Sequence, residues 1–155
     1  MTMPQGEPVV PSAKADLGKR FLAALIDGAL CAVLSLVPVL GWLLSAVYVV
    51  VRDGLDVEFM KRRSIGKQVM KLRPVRLDGQ PMDLATSAKR NLPFVLGLIG
   101  LPLLEIPILG WAVAGLLGVA QLAIGIIEIV LVLTDAEGRR LGDKLAGTKV
   151  VDSES

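Results

Sequence analysis

Residues 92–134, LPFVLGLIGLPLLEIPILGWAVAGLLGVAQLAIGIIEIVLVLT, form a long apolar run in which Glu105 and Glu128 are the only charged side chains. Residues 21–51, FLAALIDGALCAVLSLVPVLGWLLSAVYVVV, form a second run, and Asp27 is its only charge. A helix that crosses a membrane needs about 20 apolar residues, and each run exceeds that length. The two runs therefore predict an all-α membrane protein, with the lipid bilayer as its first partner.

The composition supports the same class and excludes several others. The chain has 155 residues, 53% of them hydrophobic and 21% charged, and its mean hydropathy is +0.62, above that of ordinary soluble domains. It contains no histidine and one cysteine, Cys31, so a Ser-His-Asp triad, a histidine-ligated zinc site and an intramolecular disulfide are excluded. We therefore expect no enzyme activity, no cofactor and no metal, and a packing role for Cys31.

The basic residues predict how the chain crosses the membrane. All 17 Lys and Arg lie outside the two runs, in segments before, between and after them. Basic segments stay on the cytoplasmic side, and all three can do so only if each run crosses twice. We therefore predict four transmembrane helices as two helical hairpins, with both termini cytoplasmic. The expected helices cover about 20–38, 41–58, 91–107 and 110–134.

Each run contains a turn signal where a hairpin would reverse. Pro38-Val39-Leu40-Gly41 interrupts the first run and Pro107-Ile108-Leu109-Gly110 the second, and a tryptophan follows each glycine. The first run is short for two spans. We expect its second helix to continue past Arg52 towards Met60, with the Arg52 side chain reaching the membrane surface. A single long helix is the alternative.

Outside the runs, the chain predicts tails and a cytoplasmic loop. Residues 1–19 are rich in proline and predict a flexible N-terminal tail, residues 20–151 the transmembrane domain, and residues 152–155 a C-terminal tail. Within the loop of about 59–90, residues 55–71 fit a basic amphipathic helix on anionic lipid headgroups. Residues 71–77 and 147–151 are strand-like and can pair as a short β-ribbon.

Small and polar residues form one stripe on the first helix and another on the last, at steps of three and four. The stripes are Arg20, Ala24, Asp27, Cys31 and Ser35, and Ala114, Gly118, Gln121, Gly125 and Glu128. Small residues allow helices to approach closely in lipid, and polar residues hold them together. We therefore predict that the first and last helices face each other along these stripes.

Asp27 and Glu128 are then expected at about the same depth in the membrane. Carboxylates in that position must be protonated, paired or near water. One interpretation is a cation or proton site. The other is structural, with Asp27 paired to Arg20 or Arg90 and a neutral Glu128 hydrogen-bonded to Gln121.

Two basic motifs have simpler explanations than nucleotide or nucleic-acid binding. Residues 64–67, SIGK, lack the upstream glycine and the following Ser or Thr that a phosphate-binding loop requires. Residues 61–63, KRR, have no interleaved aromatic residues and lie between the apolar runs. We expect no nucleic-acid partner.

Several short segments, in order, match a known family. They are GKRFLAALID at 18–27, SIGK at 64–67 followed by LRPV at 72–75, DGQP at 78–81, RN at 90–91 and GRRLGDKLAGT at 138–148. Together they resemble the RDD family of bacterial membrane proteins, named for one arginine and two aspartates, over about residues 17–151. One departure is Pro74, which removes a strand hydrogen bond from the expected ribbon.

The resemblance implies a bacterial inner-membrane protein with a family site. The family arginine would be Arg20, the first aspartate Asp27, and the second Asp143, with Asp135 as the rival. Cytoplasmic motif residues would be Ser64, Gly66, Lys67, Arg90, Asn91, Arg139 and Arg140. Members are suspected of transport, in some cases sodium/proton exchange.

Asp143 also has a structural interpretation. It can pair with Arg20, Arg90, Arg139 or Arg140 and so clamp the C-terminal segment beneath the helices.

Two functions remain open at this point. The first is a small transport module for monovalent cations or protons, in which Asp27 carries the ion, Glu128 assists and Arg20 adjusts the pKa of Asp27. Four short helices are few for transport, so this function implies a homo-oligomer. The second is a structural or accessory protein that assembles with itself or a partner. Binding of lipid headgroups by the basic loop is a third option.

Overall fold

A computed structural model of the chain describes residues 14–37 and 40–153. Helices dominate, and two strands form a small sheet. The elements are α1 (Leu17–Leu34), α2 (Leu40–Val51), α3 (Ile65–Val69), β1 (Leu72–Arg76), α4 (Leu84–Asn91), a 3₁₀ turn (Leu92–Phe94), α5 (Val95–Leu103), α6 (Leu109–Thr134), α7 (Leu141–Ala146) and β2 (Thr148–Asp152).

The first apolar run forms two antiparallel helices, which rules out the single long helix. The α1 helix begins at Leu17, within the predicted tail, because the Asp16 carboxylate accepts a hydrogen bond from the Lys19 backbone N–H at 2.8 Å. The Ser45 hydroxyl of α2 donates to the Cys31 carbonyl of α1 at 3.2 Å. Pro38 and Val39 of the predicted turn lie outside the described residues, as do residues 1–13, 154 and 155.

The second apolar run forms the other predicted hairpin. The Gly97 backbone N–H of α5 donates to Gln121 Oε1 of α6 at 3.0 Å, and Trp111 Nε1 donates to the Leu104 carbonyl at 3.0 Å. In this hairpin Gly110 lies so close to the backbone of α5 that an added Cβ would collide with it, and Gly41 approaches α1 in the same way. The glycine shared by the two turn motifs therefore allows each hairpin to close tightly.

Among the described residues, only α6 is both long enough and apolar enough to span a membrane on its own. Its 26 residues extend about 39 Å, whereas the 12 residues of α2 extend about 18 Å, short of the ~30 Å hydrocarbon core. The predicted continuation of α2 to residue 58 is wrong, because the chain turns at Arg52–Gly54, where Gly54 packs against the backbone of Asp83. The two hairpins are present, but four full-length spans are not confirmed.

The predicted amphipathic helix over residues 55–71 is also wrong. Residues 58–63 form turns, and Lys61 and Arg62 have φ angles of 47° and 60°, which a right-handed helix cannot contain. Helix begins only at Ile65, where the Ser64 hydroxyl accepts a hydrogen bond from the Lys67 backbone N–H.

The predicted ribbon is confirmed. Strands β1 and β2 pair antiparallel, and Pro74 lies opposite Val150. Each strand of a two-stranded ribbon has a free edge, so a residue without an N–H is tolerated there. Leu72 and Val150 are buried against Ala15 and Ala23, which joins the ribbon to the start of α1. Because β2 extends to Asp152, the predicted C-terminal tail begins inside a strand.

The prediction that the first and last helices face each other holds only around one cavity, which is lined by Arg20, Ala24 and Asp27 of α1 and by Glu128 of α6. Helix α1 packs against α2 and α3, and α6 packs against α5, with a smaller contact to α7. Asp27 finds its partners on and beside α2 and α3, Gln121 on α5 and Glu128 on α7. Arg20 instead binds the Gly138 carbonyl and Asp143, in the segment that follows α6, and a cavity lies between α1 and α6.

Candidate functional site

Asp27 connects three helices at the polar end of the molecule. Its side chain is buried and accepts hydrogen bonds from the Tyr48 hydroxyl at 2.7 Å, the Gly66 backbone N–H at 2.8 Å and Arg52 Nη1 at 3.2 Å. An added Cβ at Gly66 would collide with the Ala23 carbonyl, so glycine lets α3 come this close to α1. The predicted pairing of Asp27 with Arg20 or Arg90 is wrong; its cationic partner is Arg52.

Asn91, at the end of α4, connects two arginines of different segments. Its Oδ1 accepts from Arg52 Nη2 at 3.3 Å and from Arg140 Nη2 at 3.1 Å, and its Nδ2 donates to the Ser87 carbonyl at 3.0 Å. The side chain is fully buried. Its amide therefore holds Arg52 and Arg140 at a fixed distance from each other.

Asp143 is fully buried and surrounded by arginines. Its carboxylate lies 2.9 Å from Arg90 Nη2, 3.4 Å from Arg20 Nη2 and 3.8 Å from Arg140 Nε. Burial alone raises the pKa of Asp143, but the charges of Arg90, Arg140 and Arg20 outweigh it and keep this pKa below its usual value. This is the clamp expected from the sequence, and it joins α7 to α1 and α4.

The rival aspartate, Asp135, has different partners. It lies 2.9 Å from Lys144 Nζ and accepts the Arg139 backbone N–H at 2.9 Å. The Arg139 side chain pairs with Glu137 at 3.0 Å on the surface. The contact with Arg20 therefore belongs to Asp143, and Arg139 stands apart from the buried arginines.

Asp53 and Lys67 form a buried pair. Lys67 Nζ lies 2.6 and 2.8 Å from the two Asp53 oxygens, and Arg90 Nε lies 3.4 Å from Asp53. Although burial raises the pKa of Asp53, the charges of Lys67 and Arg90 hold it far below its usual value. Burial lowers the pKa of Lys67, and the attraction of Asp53 opposes this. Sequence reasoning missed Asp53 because it placed residue 53 within an extended α2.

Glu128 stabilises the start of α7. Its two oxygens accept the backbone N–H groups of Leu141 at 3.1 Å and Gly142 at 3.2 Å, where the helix dipole favours a negative charge. The predicted hydrogen bond to Gln121 is wrong, since Gln121 binds Gly97 in α5.

These side chains surround one cavity of about 300 Å³ between α1 and α6. We call its five cations the basic floor: Arg20, Arg52, Lys67, Arg90 and Arg140. We call its apolar side chains the walls: Leu17, Phe21 and Ala24 from α1, and Ile129, Val132 and Leu133 from α6. Asp27 and Glu128 line the same cavity, so the structure brings together the two carboxylates that the sequence placed at one depth.

The charges around the cavity do not balance. Four carboxylates, Asp27, Asp53, Glu128 and Asp143, face the five cations of the basic floor. Arg90, whose side chain is 1% exposed, has a buried Nη1 with no hydrogen-bond partner among the described residues. A buried donor without a partner is costly, more so when it is charged. The cations that line the cavity therefore outnumber the carboxylates around them.

Comparison with known proteins gives one match. A family model described as the RDD family matches residues 36–147, which contain α2 to α7 and the charged residues of the site apart from Arg20 and Asp27 on α1. No curated protein and no solved structure matches the chain.

Proposed function

Because this chain belongs to the RDD family, a family of membrane proteins, we propose that it is a membrane-embedded module that binds an anionic group on the basic floor of the cavity between α1 and α6. The observation that carries the proposal is the lining of the cavity, in which the five cations of the basic floor exceed by one the four carboxylates around them. An anion in the cavity would balance the excess positive charge of the basic floor.

The same geometry favours an anion over a monovalent cation. A cation that binds Asp27 must replace Arg52, which already lies 3.2 Å from the carboxylate, and it must do so beside four further cations. Glu128 is engaged by two backbone N–H groups. Cation or proton transport through Asp27 therefore requires the contact with Arg52 to break, whereas an anion would meet side chains of opposite charge.

A structural role is the second candidate, and the surroundings of Asp143 favour it. This carboxylate ties α1, α4 and α7 together through Arg20, Arg90 and Arg140. A clamp of this kind fixes geometry and does not by itself require a ligand. The two candidates differ in whether an added anion changes the stability of the protein.

The proposal also includes a position in the membrane. We propose that the basic floor lies on the cytoplasmic side, because the basic segments of the chain gather at that end. Along α6, Leu116, Val119, Leu122 and Ile126 are exposed, and lipid or a second copy of the chain would cover them. Multi-pass insertion in a bacterial inner membrane and homo-oligomers belong to the same proposal.

Anion titration of the purified protein tests this function. The protein is placed in nanodiscs of phosphatidylcholine, which is neutral overall, and its thermal unfolding is followed as inorganic phosphate replaces chloride at constant ionic strength. Binding to the folded state raises the midpoint. We expect phosphate to stabilise the wild type and the Arg139→Gln control, and to stabilise Arg140→Gln much less.

Two outcomes would contradict the proposal. One is a wild-type midpoint that responds neither to phosphate nor to phosphatidylglycerol added to the nanodiscs. The other is a sodium- or potassium-dependent proton flux in liposomes that disappears in a folded Asp27→Asn variant, since that result supports the transport of cations predicted from the sequence.

A further inference from the structure

We infer that the anionic group is the phosphate headgroup of an anionic phospholipid, which enters sideways between α1 and α6 with its acyl chains against the apolar walls. This inference rests on the proposed anion site and names its ligand class. A lipid headgroup and a free phosphate can both bind the cations of the basic floor. Only the lipid has acyl chains that contact the apolar walls, so the walls are the basis for choosing between the two.

The walls are open to the outside of the molecule. Phe21 on α1 is 69% exposed, and Ile129 and Leu133 on α6 are 62% and 57% exposed, although all three line the cavity. A small inorganic anion would contact the basic floor alone, without contacting these side chains. A lipid satisfies both parts, because its phosphate meets arginines while its chains cover apolar surface.

The depth of the basic floor fits a headgroup. Arg20 follows the start of α1 at Leu17 by three residues, and Glu128 precedes the end of α6 at Thr134 by six. At 1.5 Å per residue, these side chains start roughly 5–9 Å from the helix ends. That is the boundary zone in which headgroups meet acyl chains.

The size of the cavity fits only part of a lipid. Its volume of about 300 Å³ is at the lower end of the range for pockets that enclose a small ligand. A phosphate with its glycerol can occupy this space, but two acyl chains cannot. The chains must therefore leave through the opening between α1 and α6, where the exposed walls lie.

The test compares two tryptophan variants at neighbouring positions. Ala24 lines the cavity, whereas Leu25 is 58% exposed and does not line it. Ala24→Trp fills the space between the helices without changing any charge, and Leu25→Trp adds the same side chain to the outer face of α1. On the other wall, Leu133→Trp and its control Leu122→Trp repeat the comparison if Ala24→Trp does not fold.

The measurement is the amount of phosphatidylglycerol retained over phosphatidylcholine after detergent extraction, counted by native mass spectrometry. We expect the wild type and the control variants to retain phosphatidylglycerol preferentially. We expect a loss of about tenfold in Ala24→Trp or Leu133→Trp, which corresponds to about 1.4 kcal/mol. Equal retention in the cavity and control variants would overturn the inference.

Soluble ligands separate this inference from the proposed function. Inorganic phosphate and glycerol 3-phosphate are titrated in phosphatidylcholine nanodiscs. If they stabilise the protein as strongly as phosphatidylglycerol does, the ligand is a free anion, so the lipid assignment fails while the anion site stands. If neither soluble phosphate nor phosphatidylglycerol binds, both fail.

Discussion

Arg90 and Asp143 form an ion pair of 2.9 Å in which both side chains are almost completely buried, at 1% and 0% exposure. The pair joins the end of α4 to α7, and Gly142 lies against the Arg90 backbone so closely that a Cβ would collide with it. Asp143 also contacts Arg20, so one carboxylate holds three segments that are far apart in sequence. Because Asp143 joins these segments, we expect single substitutions among its partners to have large effects on the stability of the protein.

Asp143→Asn should strongly destabilise the protein. The substitution keeps the volume of the side chain but leaves Arg90, Arg20 and Arg140 without their shared carboxylate. Breaking a buried ion pair by removing one partner costs about 3–5 kcal/mol. Thermal unfolding followed through the fluorescence of Trp42 and Trp111 measures the change. Glu58→Gln, a substitution at an exposed position, serves as the control, and equal midpoints for the two variants would contradict the clamp.

The hairpins, the ribbon and the clamp at Asp143 were predictable from the sequence, because each depends on a local signal. The turn glycines, the strand-like residues and the basic neighbours of Asp143 are all visible in the chain. The partner of Asp27 was not predictable in the same way. Arg52 follows Tyr48 by one helical turn, and both reach Asp27 because of the way α1 packs against α2, which local sequence signals do not fix. Which face of a helix is buried likewise depends on which distant elements form hydrogen bonds with its polar side chains, so the neighbours of α1 and α6 were not predictable from their stripes alone.

Gly66→Ala should destabilise the protein, whereas Gly28→Ala should not. An added Cβ at Gly66 meets the Ala23 carbonyl and the Asp27 carboxylate, so α3 must move away from α1. Overpacking of this kind costs about 1–3 kcal/mol. At Gly28 a Cβ meets nothing within 4 Å, and alanine favours the helix. Unfolding midpoints of the two variants make the comparison. Similar decreases in the unfolding midpoint at both positions would show that the packing of α3 on α1 does not require glycine at residue 66.

Stability should fall at acid pH because of Asp53 and Asp143. Both have a pKa in the folded protein below the usual value, since Lys67 and the surrounding arginines favour their charged forms. The unfolded chain then binds more protons than the folded one as pH decreases through about 4, and the stability present above that pH is lost. We expect the unfolding midpoint to be nearly constant from neutral pH to about pH 5 and to drop steeply below about pH 4.

The Asp143→Asn variant provides the check on this pH dependence. Its acid drop should be shallower than that of the wild type, because one of the two titrating groups is absent. A wild-type midpoint that stays constant to pH 3 would exclude depressed pKa values at both sites.

Substitutions at Asp27 and Arg52 test whether Asp27 is a structural anchor that holds the helices together or a carboxylate that carries an ion. Asp27→Asn keeps the hydrogen bond from Tyr48 but removes the charge that Arg52 faces at 3.2 Å. If Asp27 is an anchor, Asp27→Asn and Arg52→Gln should each destabilise the protein, and the double variant should lose less than the sum of the two. Contacting residues show such coupling at about 0.5–3 kcal/mol.

An ion carrier gives the opposite pattern, because its carboxylate must release Arg52 during each cycle. Asp27→Asn should then fold with a nearly unchanged midpoint and lose its flux in liposomes, while Arg52→Gln keeps some flux. The three described donors on Asp27, from Tyr48, Gly66 and Arg52, all favour the carboxylate in place, so we expect the anchor pattern. Measured additivity of the two substitutions, together with flux that depends on Asp27, would contradict that expectation and favour transport.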